Sequence, residues 1–565
     1  MAKFFALVKT MFLNQQRAMV IRSNKFKKNP KGVSTWLILC IVFAPLLALM
    51  AIQMYFLGQF AIGTDVHEEV LATFMLVCQG MVFMFSIPSM LNVVFSCNDA
   101  ERLLSMPLTP ITIFSAKITL VYLYELATSL IMSLFILLPY GIGAGLGVQF
   151  YLFLIFAIAL LPLLPLLLMS IICFPFAYLT SYLQGKGFVK TILTTLFFLT
   201  IMGAYLFFMV SVMGMEGADQ DMSFSDVAVL LVNVFTKNSQ KIQTFTFFNY
   251  WLATAMVSND VATILLNFLA TVGTNGVALV LAVLLSSVLY KKMLAKSLEK
   301  TSQKTKESQF LQEKQSNKLF ALAICDFKRL LRESQLGFQV LAMPILIPII
   351  MVILCVSLTL DGEMGQVWQQ PLMANLAIIF ITFYNWLMGI SGNVLALFPI
   401  SRERSSFYLM KMMPVPLMVQ LKAKLLLSTA MITISYLLTA IICVIILPIE
   451  WYFVFVLTLL PILFSFGSSC VTMLLDLRKP ILDWTNFQTS LKNSANTWWT
   501  MLIAFCLLLV TLMVAGVFVL LYQSAQIDLF WLLYVVLVAL GVVYCLVAYS
   551  ILTKNSEKYF NRIEI

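Results

Sequence analysis

Residues 149–180 read QFYLFLIFAIALLPLLPLLLMSIICFPFAYLT and hold no charged side chain. At a helical rise of about 1.5 Å per residue, a run of this length more than crosses the roughly 30 Å hydrocarbon layer of a bilayer. Backbone N–H and C=O groups left unpaired in lipid cost several kcal/mol each, so the segment must be a helix or a strand of a closed barrel. Barrel strands alternate polar and apolar residues, and this stretch does not. It reads as a membrane-spanning helix.

Outward from it the pattern recurs. Apolar runs at 34–57, 71–95, 118–145, 191–213, 269–290, 337–360, 371–399, 425–448, 451–475, 498–522 and 529–551 bring the total to about twelve spans. The 565 residues are 61% hydrophobic and only 11% charged, where soluble domains carry about a quarter charged. The expected fold is therefore an all-α polytopic membrane protein. Lys and Arg are retained on the cytoplasmic side of short loops, which fixes the orientation. With the N-terminus inside, all of the 36 basic residues except Lys237 and Lys241 fall on the inner side, so both termini are expected in the cytoplasm. The net charge of +11 is scattered over every inner loop, which argues against nucleic acid as a partner. The ten cysteines fall in expected spans or on the inner side and show no CxxC spacing, so neither a disulfide framework nor a metal site is expected. Residues 1–33 are basic and interrupted by polar groups, unlike a removable signal peptide, and the first span is read as its own insertion signal.

The two parts of the chain echo one another at an offset of about 301 to 315 residues. Lys3-Phe4-Phe5-Ala6-Leu7 returns as Lys318-Leu319-Phe320-Ala321-Leu322. Both open stretches with apolar residues at helical spacing, Phe4, Val8, Met11 and Phe12 in one, Phe320, Ile324, Phe327 and Leu331 in the other. Each is expected to lie along the inner membrane surface. After the second run, Asn92-Val93 leads through Asp99-Ala100-Glu101-Arg102 to Pro107 and Lys117; later, Asn393-Val394 leads through Ser401-Arg402-Glu403-Arg404 and Lys411 to Pro414 and Lys424. Six spans per half is an even number, so the repeats are parallel, related by an axis along the membrane normal. The expected layout is a first half at 1–293, with an outer helical segment at 214–268, a polar cytoplasmic linker at 294–317, and a second half at 318–565. Outer residues Asn249, Asn259 and Asp260 make 247–268 too polar for a span by this reading.

The inner segments after the second and eighth runs are short, amphipathic, mixed in charge and closed by proline, as suits a brief helix. Their recurrence points to an element that docks on a cytoplasmic partner. Ser401-Arg402-Glu403-Arg404 through Pro414-Val415-Pro416 and Lys424, together with Asp476-Leu477-Arg478-Lys479-Pro480-Ile481-Leu482-Asp483-Trp484-Thr485-Asn486, Lys492 and Asn493, resemble the inner-loop pattern of ABC-2 type permeases, the membrane subunits of bacterial ABC exporters. The resemblance implies a multi-pass protein of the bacterial plasma membrane with a surface helix, six spans, an inner coupling helix and outer helices in each half. The second half lacks the outer helices, and the first shortens the 476–493 loop to Gln184-Gly185-Lys186-Gly187. The implied partners are separate ABC ATPase subunits, two copies, which carry ATP and magnesium. Glu101, Arg102, Arg402, Glu403, Arg404 and Lys411 would make that contact. The sequence itself has no GxxxxGK[ST] phosphate loop, so no cofactor is expected in this chain.

Glu125 is the one charged side chain within the expected span cores, and such residues face a bundle interior or a cavity. It is a candidate contact for substrate or a polar gate, beside the plainer reading of a hydrogen-bonded structural glutamate; its repeat counterpart is Ile432. His67 is the sole histidine and lies in an outer loop, which leaves no His-based metal or catalytic site. Pro162, Pro165, Pro175, Pro344 and Pro348 are expected to mark kinks or breaks. The function expected is a transport subunit without its own ATPase, exporting an amphipathic or hydrophobic peptide, lipid or drug. An ion-coupled secondary transporter is the alternative, but it calls for several intramembrane carboxylates or histidines. A membrane enzyme calls for a ligand cluster that the sequence does not show.

Overall fold

A computed structural model describes residues 4–13, 35–64, 66–95, 106, 108–183, 186–213, 239–290, 292–293, 317–360, 371–447, 449–482, 495–525 and 530–563. These are helical almost throughout, and no strand occurs among them. Nine helices among the described residues are long and apolar enough to cross a membrane, ten if the bent pair Lys318–Arg332 and Gly337–Val352 is one span. The protein is an all-α multi-pass membrane protein. The runs at 34–57 and 371–399 hold helices Thr35–Phe60 and Pro371–Gly392, which stand outside that set. The linker at 294–317 lies outside the described residues, apart from Asn317.

The described residues fall into two compact units, one drawn from Met1–Gly185, Phe207–Glu216 and Asp221–Gln303, the other from Lys186–Leu206 and Lys304–Ile565. The first unit begins with α1 (Phe4–Leu13), α2 (Thr35–Phe60) and α3 (His67–Ser89), which runs on through a wide π turn at Met90–Val94. Glu68 and Glu69 sit in the first turn of α3, where carboxylates oppose the helix dipole favourably. Thr109 caps α4 (Pro110–Met132) by accepting from the Thr112 amide, and Pro110 at the first helical position gives up no hydrogen bond there. A π stretch, Ser133–Leu137, carries α4 into α5 (Leu138–Gly143). Against α5 packs α2 with backbone on backbone: a Cβ on Gly143 would lie 2.1 Å from the Tyr55 carbonyl oxygen, and one on Gly58 would lie 2.5 Å from that of Tyr140. Gly143→Val is accordingly expected to destabilise the purified protein by about 1–3 kcal/mol, read as a lower melting temperature in detergent. Gly276→Ala, with open space around it, should leave that temperature almost unmoved.

Proline breaks the next span, as expected, between α6 (Val148–Leu160) and α7 (Leu163–Ser181). Pro162 and Pro165 have no N–H, which frees the carbonyls of Ile158 and Leu161 four residues earlier. Ser129 of α4 donates to Ile158 at 3.0 Å, and Tyr122 donates to the adjacent Ala159 carbonyl at 3.0 Å. Gln79 of α3 donates to Leu161 at 3.4 Å. Side chains thus replace the missing ladder bonds, which is what lets a broken helix persist in a lipid-facing bundle.

The helix α8 (Gly187–Met213) has its residues 187–206 in the second unit. The first unit resumes with two short helices, α9 (Ser239–Phe245) and α10 (Phe247–Val257), in the part of the outer segment 214–268 that is described; residues 214–238 lie outside. They pack along α3, where Ser239 and Gln243 donate to Glu69 in its first turn at 2.7 and 3.1 Å and Asn249 donates to Gln79 near its middle at 2.9 Å. The next candidate span, α11 (Val261–Leu285), begins earlier than the 269 read from the sequence. Asp260 is its cap, accepting from the Ala262 and Thr263 amides, so one of the polar residues that argued against a span marks its start.

In the second unit, α12 (Lys318–Arg332) is strongly amphipathic, capped by Asn317, and meets α13 (Ser334–Leu360) at a 98° bend. The bend is held by α8: a Cβ on Gly187 would lie 2.1 Å from the Arg332 carbonyl oxygen, and Thr191 donates to the Leu331 carbonyl at 2.9 Å. Thus α8 joins this unit although the sequence reading grouped its run with 1–293. Pro344 and Pro348 lie within α13 and do not interrupt it. There follow α14 (Pro371–Gly392), α15 (Val394–Leu397), α16 (Phe407–Met412), α17 (Leu417–Ile446), α18 (Phe453–Arg478), α19 (Ala495–Ala525) and α20 (Phe530–Asn561). The hub is α18, lined with buried Ser465, Ser468, Ser469 and Thr472; Gly467 lets the Tyr544 ring of α20 close on it, and Tyr436 of α17 shares a 2.6 Å hydrogen bond with Ser465.

Candidate functional site

The segment between α14 and α17 is pinned at three levels. Asn393 caps α15, accepting from the Ala396 amide at 3.2 Å and donating to the Ser428 carbonyl of α17 at 3.1 Å. One turn on, Thr472 of α18 donates to the Ala396 carbonyl at 2.8 Å. Then the buried carboxylate of Asp476 accepts from the Ile400 and Ser401 amides at 2.8 and 2.9 Å and from the Ser401 hydroxyl, whose oxygen accepts in turn from the Ile481 amide at 2.9 Å. Asp476 therefore ties three chain segments together at the polar end of α18.

Beyond Ser401 the chain makes a tight turn, Ser401–Ser406, in which Arg404 takes φ 52°, ψ −130°. This is a sparsely populated conformation for a side-chain-bearing residue, worth about 1–3 kcal/mol of strain. The turn persists because its neighbours are locked. Arg402, only 3% exposed, pairs with Asp326 of α12. Glu403 pairs with Lys424 of α17 and with Arg329 of α12, and Lys424 also stands 3.6 Å from Asp326. Arg329 further donates to the Ser406 hydroxyl. Burial alone would push the Glu403 carboxyl up, but Lys424, Arg402 and Arg329 outweigh it and hold the group down at about 2. The network joins the amphipathic helix α12, the turn and the helix α17 into one joint of ion pairs.

Of the residues singled out in the sequence, Arg402 and Glu403 thus face into the fold, while Arg404 is exposed. Lys411 donates to the Ile563 carbonyl at the end of α20. Glu101 and Arg102 lie outside the described residues. In the first unit, Lys117, the counterpart of Lys424, is buried, and the nearby packing is aromatic: Phe174 meets Phe95 and Phe114 at ring-centroid distances of 5.1 and 5.0 Å, and Tyr290 donates to the Val94 carbonyl at 3.1 Å. Glu125 is buried at 1% exposure, one turn from Ser129 on α4, and Ser129 in turn donates to the Ile158 carbonyl at the proline break.

Sequence reasoning did not find Asp326 or Arg329, and it named Asp476 only as part of the inner-loop resemblance; the partners of all three lie more than seventy residues away. It also missed the outer face of α16. Phe407 and Met410 are buried, whereas Tyr408, Leu409, Met412 and Met413 are exposed, Met412 at 74%. That split was legible in the spacing, since 408, 409, 412 and 413 share one side of a helix and 407 and 410 another. Comparison with protein-family models, with curated proteins and with solved structures returns no match for this chain.

Proposed function

We propose that this chain is the membrane-spanning permease subunit of an ATP-driven exporter of the ABC-2 type. In this reading about twelve spans form two parallel six-span repeats in a bacterial plasma membrane, with both termini in the cytoplasm. Two separate ABC ATPase subunits supply ATP and magnesium, and the cargo is an amphipathic or hydrophobic peptide, lipid or drug.

The observation that carries the reading is α16: an exposed apolar face of Tyr408, Leu409, Met412 and Met413 mounted on a joint of buried ion pairs. An apolar face outside the lipid-crossing helices suits a groove on a partner protein, and a stiff base converts a push there into motion of α12, α17 and α18. Arg402 and Glu403 then serve as the base of the element, and the contact with the ATPase is mainly apolar. The test is cargo flux in vesicles holding the purified chain with and without its ATPase. Flux that needs both the ATPase and ATP supports the proposal; flux driven by a proton or sodium gradient in the chain alone overturns it.

Glu125 is the proposed polar contact on the path through the first half, because it is an ionisable side chain buried within a membrane-crossing helix, and such residues mark substrate and ion pathways. Glu125→Gln keeps the shape and removes the charge. It is expected to leave expression and melting temperature near those of the parent while lowering ATP-driven flux severalfold; parental flux at parental expression would remove Glu125 from the pathway.

A further inference from the structure

We infer that the last turns of α20 are a strut that sets the position of α16, so that the proposed docking element is held by a third helix besides the two spans that flank it. The apolar span of α20 gives way at Lys554, Asn555, Glu557 and Lys558 to a polar, solvent-suited stretch, yet the helix continues to Asn561. Its inward face stays buried over that stretch: Leu552 and Ser556 are fully enclosed, and the Ser556 hydroxyl donates to the Met418 sulfur at 3.4 Å, at the start of α17. One turn later the face reaches α16. The Phe560 ring meets Phe407 edge to face at a centroid distance of 5.6 Å, and Ile563 is buried in the same apolar cluster as Ile400, Phe407, Met410 and Leu417.

Lys411 completes the join. Its ammonium donates to the Ile563 carbonyl and stands 6.0 and 5.9 Å from the centroids of the Phe407 and Phe560 rings, within cation–π range. A carbonyl near a helix C-terminus is a natural partner for a cation, because the last carbonyls have no intrahelical donor. Lys411, grouped by sequence with the residues that touch a partner, is on this geometry a positioning residue. Phe407 and Met410 are gripped from one side by α20, which leaves Tyr408, Leu409, Met412 and Met413 presented on the other. A helix of six residues has too few internal hydrogen bonds to hold itself, so its orientation must come from such packing.

This inference rests on the proposed function for its consequence but not for its geometry, and the experiment separates the two. A nitroxide label is attached at Met412→Cys, in a background cleared of other reactive cysteines, and its mobility is read by electron paramagnetic resonance in the full chain without any partner. Phe560→Ala and Lys411→Met are each expected to shift the spectrum from a motionally restricted to a mobile form while melting temperature and expression remain close to the parent. In complex with the separate ATPase subunits, the same substitutions should reduce stimulated ATP hydrolysis. An unchanged spectrum in both variants, with the protein folded, overturns the strut. A mobile label with unaltered ATP hydrolysis keeps the strut and overturns its coupling role, whereas failure of the parent chain to stimulate any ATPase rejects the proposed function alone. Should Phe560→Ala not fold, Lys411→Met, which removes only the tether, decides the matter by the same spectrum.

Discussion

Replacing Lys424 with methionine is expected to cost about 3–5 kcal/mol of stability, seen as a large fall in melting temperature of the purified protein. Asp326, Glu403 and Asp476 balance Arg329, Arg402 and Lys424 in charge within one joint. Removing one cation leaves the largely buried Glu403 with Arg402, which is already paired with Asp326, and with Arg329, which is itself half exposed. A second substitution, Glu403→Gln, should return much of the loss, because the desolvated charge goes with its partner. The pH dependence follows from the same residue. The Glu403 carboxyl is held at about 2 against an ordinary 4.5, so the folded state takes up its proton less readily than the unfolded chain. Its contribution, on the order of 3 kcal/mol, is present above pH 4.5 and is lost as the pH falls from there through 2. Melting temperature measured down to pH 3 should therefore decline in the parent and decline less steeply in Glu403→Gln.

Met412→Asp with Met413→Asp is expected to abolish retention of the ATPase while leaving the protein folded. Both side chains are exposed, so the charges are solvated in the free chain and their effect on stability should stay within about 0.5 kcal/mol. In a docked state the same charges would be desolvated in an apolar groove. A contact residue of that kind contributes about 2 kcal/mol or more, which is roughly a 30-fold loss in affinity. Binding measured by co-purification and by titration of ATPase stimulation should fall together. Substitution of Arg404, exposed but set beside the apolar face, should produce a smaller loss that grows at low salt.

What the sequence made legible is what depends on local composition. Each apolar run between 34 and 551 holds a helix, since length and hydropathy decide that without reference to the rest of the chain. The break at Pro162 was equally readable, because a missing N–H acts on its own helix. The start of α11 was not. Asn259 and Asp260 look like interruptions in a hydropathy profile, and only the backbone shows Asp260 closing onto the Ala262 and Thr263 amides. The bend after Arg332 was invisible for a related reason: it needs Gly187 and Thr191, more than a hundred residues away, to receive the carbonyls it exposes. At the candidate site the directions of the side chains were not foreseeable. Arg402 and Glu403 belong to a charged loop in sequence, where solvent is the natural expectation, and their partners Asp326 and Lys424 are brought to them only by the packing of α12 and α17.

The most direct measurement is a photo-crosslinking amino acid placed at position 412 in cells expressing the chain with its candidate ATPase. The account predicts an adduct between this position and the nucleotide-binding subunit, formed from the cytoplasmic side and weakened by aspartate at position 413. Labelling of position 412 by an impermeant reagent added outside intact cells, with no adduct to any ATPase, would contradict it.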